Sequence, residues 1–297
     1  MKRRDAVLLF VLAALWGASF LFVRIAVPVL GPFPLVAARV LLGGSILLVY
    51  ATLIHQLPDW RSNWLRYALI GLFNNAIPFT LIAAAQLHLT ASYAALLNAT
   101  TPLFSAVIAA IWIKERLTTV KISGLVLGMI GVAIVVGWEP DALDSTRVVS
   151  IALMLGATLS YGIAAVYGKV AFKKGQPIAT ATGQLLSSTV LMLPLALLNP
   201  PQHPIQPVTV AAVVGLALLS TSIAYIIYFH LIGSSGPTIA ASVTLLIPFF
   251  SSLWGAIFLS EQLQTNEVLG FLVILVGLCL VTGLWKQLWP KRQPLGA

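Results

Sequence analysis

Asn74 and Asn75 stand midway along one apolar stretch of the chain, and Ser220 and Thr221 stand at the matching place in another, 146 residues later. Amides and hydroxyls make and break no bonds unaided. Inside hydrocarbon they either hydrogen-bond a neighbouring helix or face a cavity and orient a solute there. Aromatic residues accompany them: Phe79 matches Tyr225 at the same offset, and Trp16 matches Tyr161 at an offset of 145. Large aromatic faces supply contact area, and polar groups fix orientation, so Trp16, Asn74, Asn75, Phe79, Tyr161, Ser220, Thr221 and Tyr225 form a candidate substrate-binding belt. For Ser220 and Thr221 helix packing is preferred, since such hydroxyls commonly join helices. For two adjacent amides a cavity is preferred, because consecutive residues cannot both face one partner helix.

Pro102 and Pro248 form a second matched pair. A proline removes one backbone donor and crowds the carbonyl one turn earlier, here that of Asn98 or Thr244, so these two join the candidate site as freed acceptors at mid-membrane depth. The prolines themselves are expected to kink or hinge their helices. Arg39 lies about 9 Å below the outer end of the second stretch, at 1.5 Å per residue, where an unpartnered arginine costs roughly 2.5 kcal/mol or more. A substrate carboxylate, helix-end carbonyls or Glu261 could hold it, and because its repeat mate is the neutral Gln184, a structural clamp with a gating role is preferred. His230, near the inner end of its stretch, is the candidate for a pH-sensitive gate. Glu115 and Glu261 fall at helix ends and are expected to be solvated or paired.

Other chemistries lack their residues. The sequence has no Gly-rich phosphate loop, no metal-spaced cluster of His and Cys, and no nucleophile, base and acid at one depth, so no cofactor, metal or catalytic residue is assigned. Nor does a carboxylate occupy the middle of any stretch. The single cysteine, Cys279, forms no internal disulfide.

The elements that must position these residues follow from composition. Only 8% of the 297 residues are charged and 59% are apolar, which fits a chain dissolved in a bilayer rather than in water. Ten stretches are long enough to span: 6–26, 33–53, 66–86, 90–113, 119–138, 148–168, 178–198, 208–230, 238–259 and 265–285. The net charge of +9 does not signal nucleic acid. With the N-terminus in the cytoplasm, 14 of the 17 basic residues lie near the inner side and only Arg24 and Arg147 near the outer side. Both termini are therefore expected in the cytoplasm, with Lys2-Arg3-Arg4 opening a retained first helix.

The segment 89–137 aligns without a gap on 235–283, with 14 of 49 pairs identical, including Pro102/Pro248, Ser105/Ser251 and Glu115/Glu261. An odd number of crossings per copy inverts the second copy. The expected organisation is a first five-helix repeat over 1–138, an outer linker over 139–147, a second repeat over 148–285 and a cytoplasmic tail over 286–297. Gly124, Gly128, Gly131 and Gly277 let the fifth and tenth helices pack closely, or else mark a homodimer face.

Trp16-Gly17-x-x-Phe20 in the first helix, Arg39 in the second and Lys114-Glu115-Arg116-Leu117 closing the fourth, set in this duplicated topology, resemble the drug/metabolite transporter superfamily, EamA family. The resemblance covers nearly the whole chain. It implies an all-α membrane protein of ten transmembrane helices in two inverted five-helix repeats. It also implies an inner-membrane exporter of amino acids or related small metabolites, whose cavity is lined by helices one, three, four, six, eight and nine. The expected partners are a small-molecule substrate and the lipid bilayer, with no nucleic acid. Flipping of a lipid-linked sugar and broad drug export are the alternatives within transport, and an intramembrane enzyme is the alternative outside it.

Overall fold

The structure is a computed structural model that describes residues 3–137, 144–172, 176–201 and 203–283, with backbone alone at 237 and 238. Among the described residues every regular element is helical. Ten helices are long and apolar enough to cross a membrane: α1 Arg3–Leu30, α2 Pro32–Leu53, α3 Trp60–Ala85, α4 Ala91–Trp112, α5 Thr119–Val136, α6 Ser145–Ala171, α7 Pro177–Leu198, α8 Pro207–Ser235, α9 Ile239–Leu259 and α10 Thr265–Thr282. Of the expected linker, 139–143 fall outside the described residues and the rest begins α6, with Asp144 as its cap; the expected tail is likewise outside them. The helices start where local chemistry satisfies their first amides. Pro32, Pro177 and Pro207 open α2, α7 and α8, where a missing N–H costs nothing. Thr90 and Thr118 accept from the amides of Tyr93 and Lys121 at 3.1 and 3.3 Å.

Side chains such as Ile111, Val190 and Leu198 are more than 70% exposed (73%, 73% and 78%), a surface that suits lipid and not water. Inside the bundle the two repeats exchange partners. α1 packs along α8 and α9, α6 packs along α3 and α4, α2 meets α7, and α5 meets α10. Two mixed bodies result, one built on α1, α8 and α9 and the other on α6, α3 and α4. Serines fasten the crossings: Ser220 donates to the Leu15 carbonyl at 2.6 Å, Ser160 to Phe73 at 2.7 Å, Ser222 to Gly43 at 3.0 Å and Ser188 to Gly71 at 2.9 Å.

The glycines of α5 and α10 are spent within the chain. A Cβ on Gly124 would stand 2.7 Å from the Gly277 carbonyl oxygen, and one on Gly131 would stand 2.7 Å from the Ile274 backbone nitrogen. Gly128 faces Leu103. These glycines therefore offer no open dimer face.

Three irregularities shape the middle of the bundle. α3 widens to a π turn over Leu72–Ala76 and α8 over Leu218–Ile223, and the two turns coincide under the 146-residue repeat. Each has its own cause. Pro78 cannot donate to the carbonyl of Asn74, so the regular ladder is broken in α3. In α8 the hydroxyls of Thr221 and Ser222 instead bond carbonyls five residues back, those of Leu216 and Ala217, at 2.9 and 3.0 Å. The third irregularity corrects the expectation of a freed Asn98 carbonyl. α4 is divided into Ala91–Asn98 and Thr101–Trp112, with Pro102 just after the division, and the Asn98 carbonyl is not free, since it accepts from the Thr101 hydroxyl at 2.8 Å. In α9 the division lies at Ser242, and Pro248 sits inside the continuous segment Val243–Leu259.

Candidate substrate cavity

A cavity of about 300 Å³ opens at the centre of the bundle, between the two mixed bodies. Eight of the ten residues expected to bind substrate line it: Trp16, Asn74, Phe79, Asn98, Tyr161, Ser220, Tyr225 and Thr244. The π turns bring Asn74 and Ser220 to it from opposite sides. Its walls are aromatic. The rings of Trp16 and Tyr228 lie 5.2 Å apart, and those of Phe79 and Tyr161 lie 6.5 Å apart.

Asn75 and Thr221 do not line it. Asn75 is fully buried and donates to the Ser188 hydroxyl at 3.2 Å while accepting from the Tyr225 hydroxyl at 3.4 Å. Adjacent helical residues diverge by roughly 100°, so when Asn74 faces the cavity Asn75 must face α7. Thr221 is also fully buried, between α8 and α2, where its oxygen accepts from Arg39 Nε at 3.1 Å.

Arg39 forms part of the cavity wall although it is only 8% exposed. Its guanidinium carbon stands 3.6 Å from the centre of the Phe79 ring. Glu261 is not its partner, and among the described residues no carboxylate lies within ion-pair distance of it. Of five N–H donors only Nε has a protein acceptor among them. A neutral network closes the site beside it: Asn74 donates to Gln184 Oε1 at 3.2 Å, and Gln184 donates to the Tyr225 hydroxyl at 3.4 Å.

The cavity shares Thr101, Ala165, Ala241 and Thr244 with a wider vestibule that carries Glu115, Lys121 and Lys169 at the opposite end. On the orientation expected from the basic residues, this end is called the inner one and the other the outer. The outer end is sealed by polar contacts between the bodies. Arg24 donates to the carbonyls of Gln86 and Leu87, and Gln86 Nε2 donates to the Phe20 carbonyl at 2.9 Å.

The gating candidates other than Arg39 lie elsewhere. Pro102 lines the vestibule, and Pro248 lines a lipid-side groove with Leu96 and Phe271. His230 sits at the inner end of α8 with its side chain 44% exposed, 3.9 Å from Asp5. Asp5 itself is buried and accepts from the Ser235 hydroxyl at 2.8 Å. The cavity also uses residues that sequence alone did not single out. Tyr228 follows Tyr225 at helical spacing, a signal that was legible; Ser19 and Gln86 carry none, since each looks like a lone polar residue near a helix neighbour or helix end.

A duplicated bundle of ten apolar helices, crossed over between its halves and hollow at the centre, is the architecture of a membrane carrier. Known proteins agree with it. The model of the EamA-like transporter family matches residues 4–137 and 148–283, and the chain belongs to that family. It is 27% identical over 283 residues to the uncharacterized transporter YvbV of Bacillus subtilis (strain 168), covering 94% of this chain and 92% of that one. With the uncharacterized inner membrane transporter YedA of Escherichia coli (strain K12) it shares 29% identity over 289 residues, 96% of this chain and 92% of the other. A crystal structure at 18% identity superposes with a TM-score of 0.67 over 97% of this chain and 100% of its own, which supports the fold.

Proposed function

We propose that this transporter moves small carboxylate-bearing amphipathic metabolites, amino acids foremost, out of the cell across the inner membrane by alternating access, with both termini in the cytoplasm. The observation that carries the proposal is Arg39: a buried guanidinium on the cavity wall that, among the described residues, has only neutral partners and most of its donors unused. A cation so placed is stabilised when a substrate anion enters, and a carboxylate matches its planar fork. The aromatic pairs take the apolar part of the substrate, and Asn74, Ser220 and Tyr225 orient its remaining polar groups. The volume suits a metabolite rather than a large drug.

The route runs from the inner vestibule, past Thr101 and Thr244, to the Arg39 site. Release to the outside needs the outer contacts to part, and the exchanged packing makes the two mixed bodies, not the two sequence halves, the units that rock. Counterflow in proteoliposomes tests the function, using labelled neutral, aromatic and sulfur-containing amino acids with and without a pH gradient. Accumulation that requires internal preloading supports a carrier for that class. Absence of counterflow with every member, from folded protein, overturns the amino-acid assignment.

A further inference from the structure

Two charged residues of the body built on α1, α8 and α9 bridge to the other body at the outer end, and each has a repeat mate at the inner end that makes no such bridge among the described residues. Arg24, on α1, donates to the last carbonyls of α3 at Gln86 and Leu87. Glu261, following α9, accepts from the amides of Ala91 and Ser92 at 2.8 and 3.0 Å and from the Ser92 hydroxyl at 2.6 Å, at the start of α4. Both therefore reach across to the other body and grip the short connection between α3 and α4 from its two ends. Charge suits both places, because helix carbonyl ends favour cations and helix amide ends favour anions.

Under the repeat, Arg24 aligns with Lys169 and Glu261 with Glu115. These mates belong to the body built on α6, α3 and α4, and the segment they would grip is 232–238, the last residues of α8 and the connection to α9, where Thr238 aligns with Ser92. Among the described residues neither forms an ion pair or hydrogen bond with it. Lys169 stands 3.7 Å from Glu115, Glu115 is bonded to Lys121 at 2.7 Å, and all three line the open inner vestibule. One member of each aligned pair is thus engaged across the bodies, while its mate is paired locally beside the vestibule.

We infer that Arg24 with Glu261, and Lys169 with Glu115, are two reciprocal locks of one transport cycle, each closed in the state in which the other is open. The inference rests on the alternating-access reading above, but it concerns what holds each gate and not what is carried. In an inverted repeat the two halves take different conformations in any one state and exchange them in the opposite state. The outward-open state therefore frees Arg24 and Glu261 and brings Lys169 and Glu115 onto the 232–238 connection. The locks are unequal. Lys121 aligns with Glu267, so Glu115 has a local cation competing for it and Glu261 has none. That competition favours the inward-open arrangement seen here.

The test uses the full chain with Cys279→Ser and one reporter, Ser105→Cys in the inner vestibule, labelled by a membrane-impermeant maleimide from the cytoplasmic side of inside-out vesicles. Glu261→Gln and Arg24→Gln each remove charged contacts that close the outer gate, and labelling is expected to slow by about tenfold as the population shifts outward. Glu115→Gln leaves labelling as fast as in the parent, and combining it with Glu261→Gln restores much of the lost rate. Ser92→Ala, which takes away one of three contacts to Glu261, gives a smaller slowing in the same direction and serves if Glu261→Gln does not reach the membrane folded. Unchanged labelling in Glu261→Gln and Ser92→Ala, or equal slowing in Glu115→Gln and Glu261→Gln, overturns the proposal. No substrate is needed for this measurement, so the expected slowing in Glu261→Gln without any counterflow would keep the locks and discard the amino-acid assignment, whereas counterflow without the slowing does the reverse.

Discussion

Replacing Arg39 by Gln separates binding from folding. Among the described residues the side chain has one hydrogen bond, from Nε to Thr221, and one ring contact, with Phe79. Losing these costs about 1 kcal/mol for the hydrogen bond and about 1–2 kcal/mol for the desolvated cation–π contact. Against this, a cation held within the bilayer core costs about 2.5–3.5 kcal/mol, which the neutral variant no longer bears. The sum is near zero, so Arg39→Gln is expected to fold, insert and melt within a few degrees of the parent. Substrate binding is different, because a charge-assisted hydrogen bond to a carboxylate contributes about 1.5–3 kcal/mol. Affinity for a carboxylate substrate should fall by about 10-fold to 100-fold. The assay is counterflow of an amino acid, competed by the acid and by the matching amine that lacks the carboxyl group. In the parent the acid competes far better than the amine, and in Arg39→Gln the two compete alike. If the variant binds the acid as the parent does, or loses acid and amine affinity equally, Arg39 does not receive the carboxylate.

Asn74→Ala and Trp16→Ala should each slow transport by about tenfold while leaving the protein folded, because both face the cavity. Asn75→Ala, which takes one hydrogen bond from each of the Ser188 and Tyr225 hydroxyls, should instead lower the melting temperature by the equivalent of about 1–3 kcal/mol, read by thermal unfolding in detergent. Gly277→Leu should disrupt the α5–α10 contact, since even a Cβ there would stand 2.6 Å from the Gly124 carbonyl oxygen, and the yield of monodisperse protein measures it. Glu115 lies outside the spans, and the hydrogen bond and charge of Lys121, aided by Lys169, hold its carboxyl below the usual carboxylate range. The stabilisation it gives is therefore complete above its ordinary pKa and is lost only as pH falls through the depressed one, below about pH 4. Vestibule labelling at Ser105→Cys should be flat with respect to this residue from pH 5 to 8; a Glu115-dependent step inside that range would refute the assignment.

The sequence by itself determined the solvent, the ten helices and the duplication, because a bilayer demands long apolar runs and an inverted repeat leaves matched residues at a fixed offset. That offset also brought Trp16, Asn74, Tyr161 and Ser220 to notice, as polar or aromatic groups at one depth. It could not decide which of two neighbours faces the cavity. Asn74 and Asn75 have the same chemistry, and only the rotation of the π turn in α3 sends one inward and the other to Ser188. Nor could it place Arg39, whose partners Thr221 and Phe79 come from different repeats. Depth is a one-dimensional property that hydropathy records along the chain. Partner choice across the exchanged helices depends on rotation and on long-range packing, and those exist only once the bundle has closed.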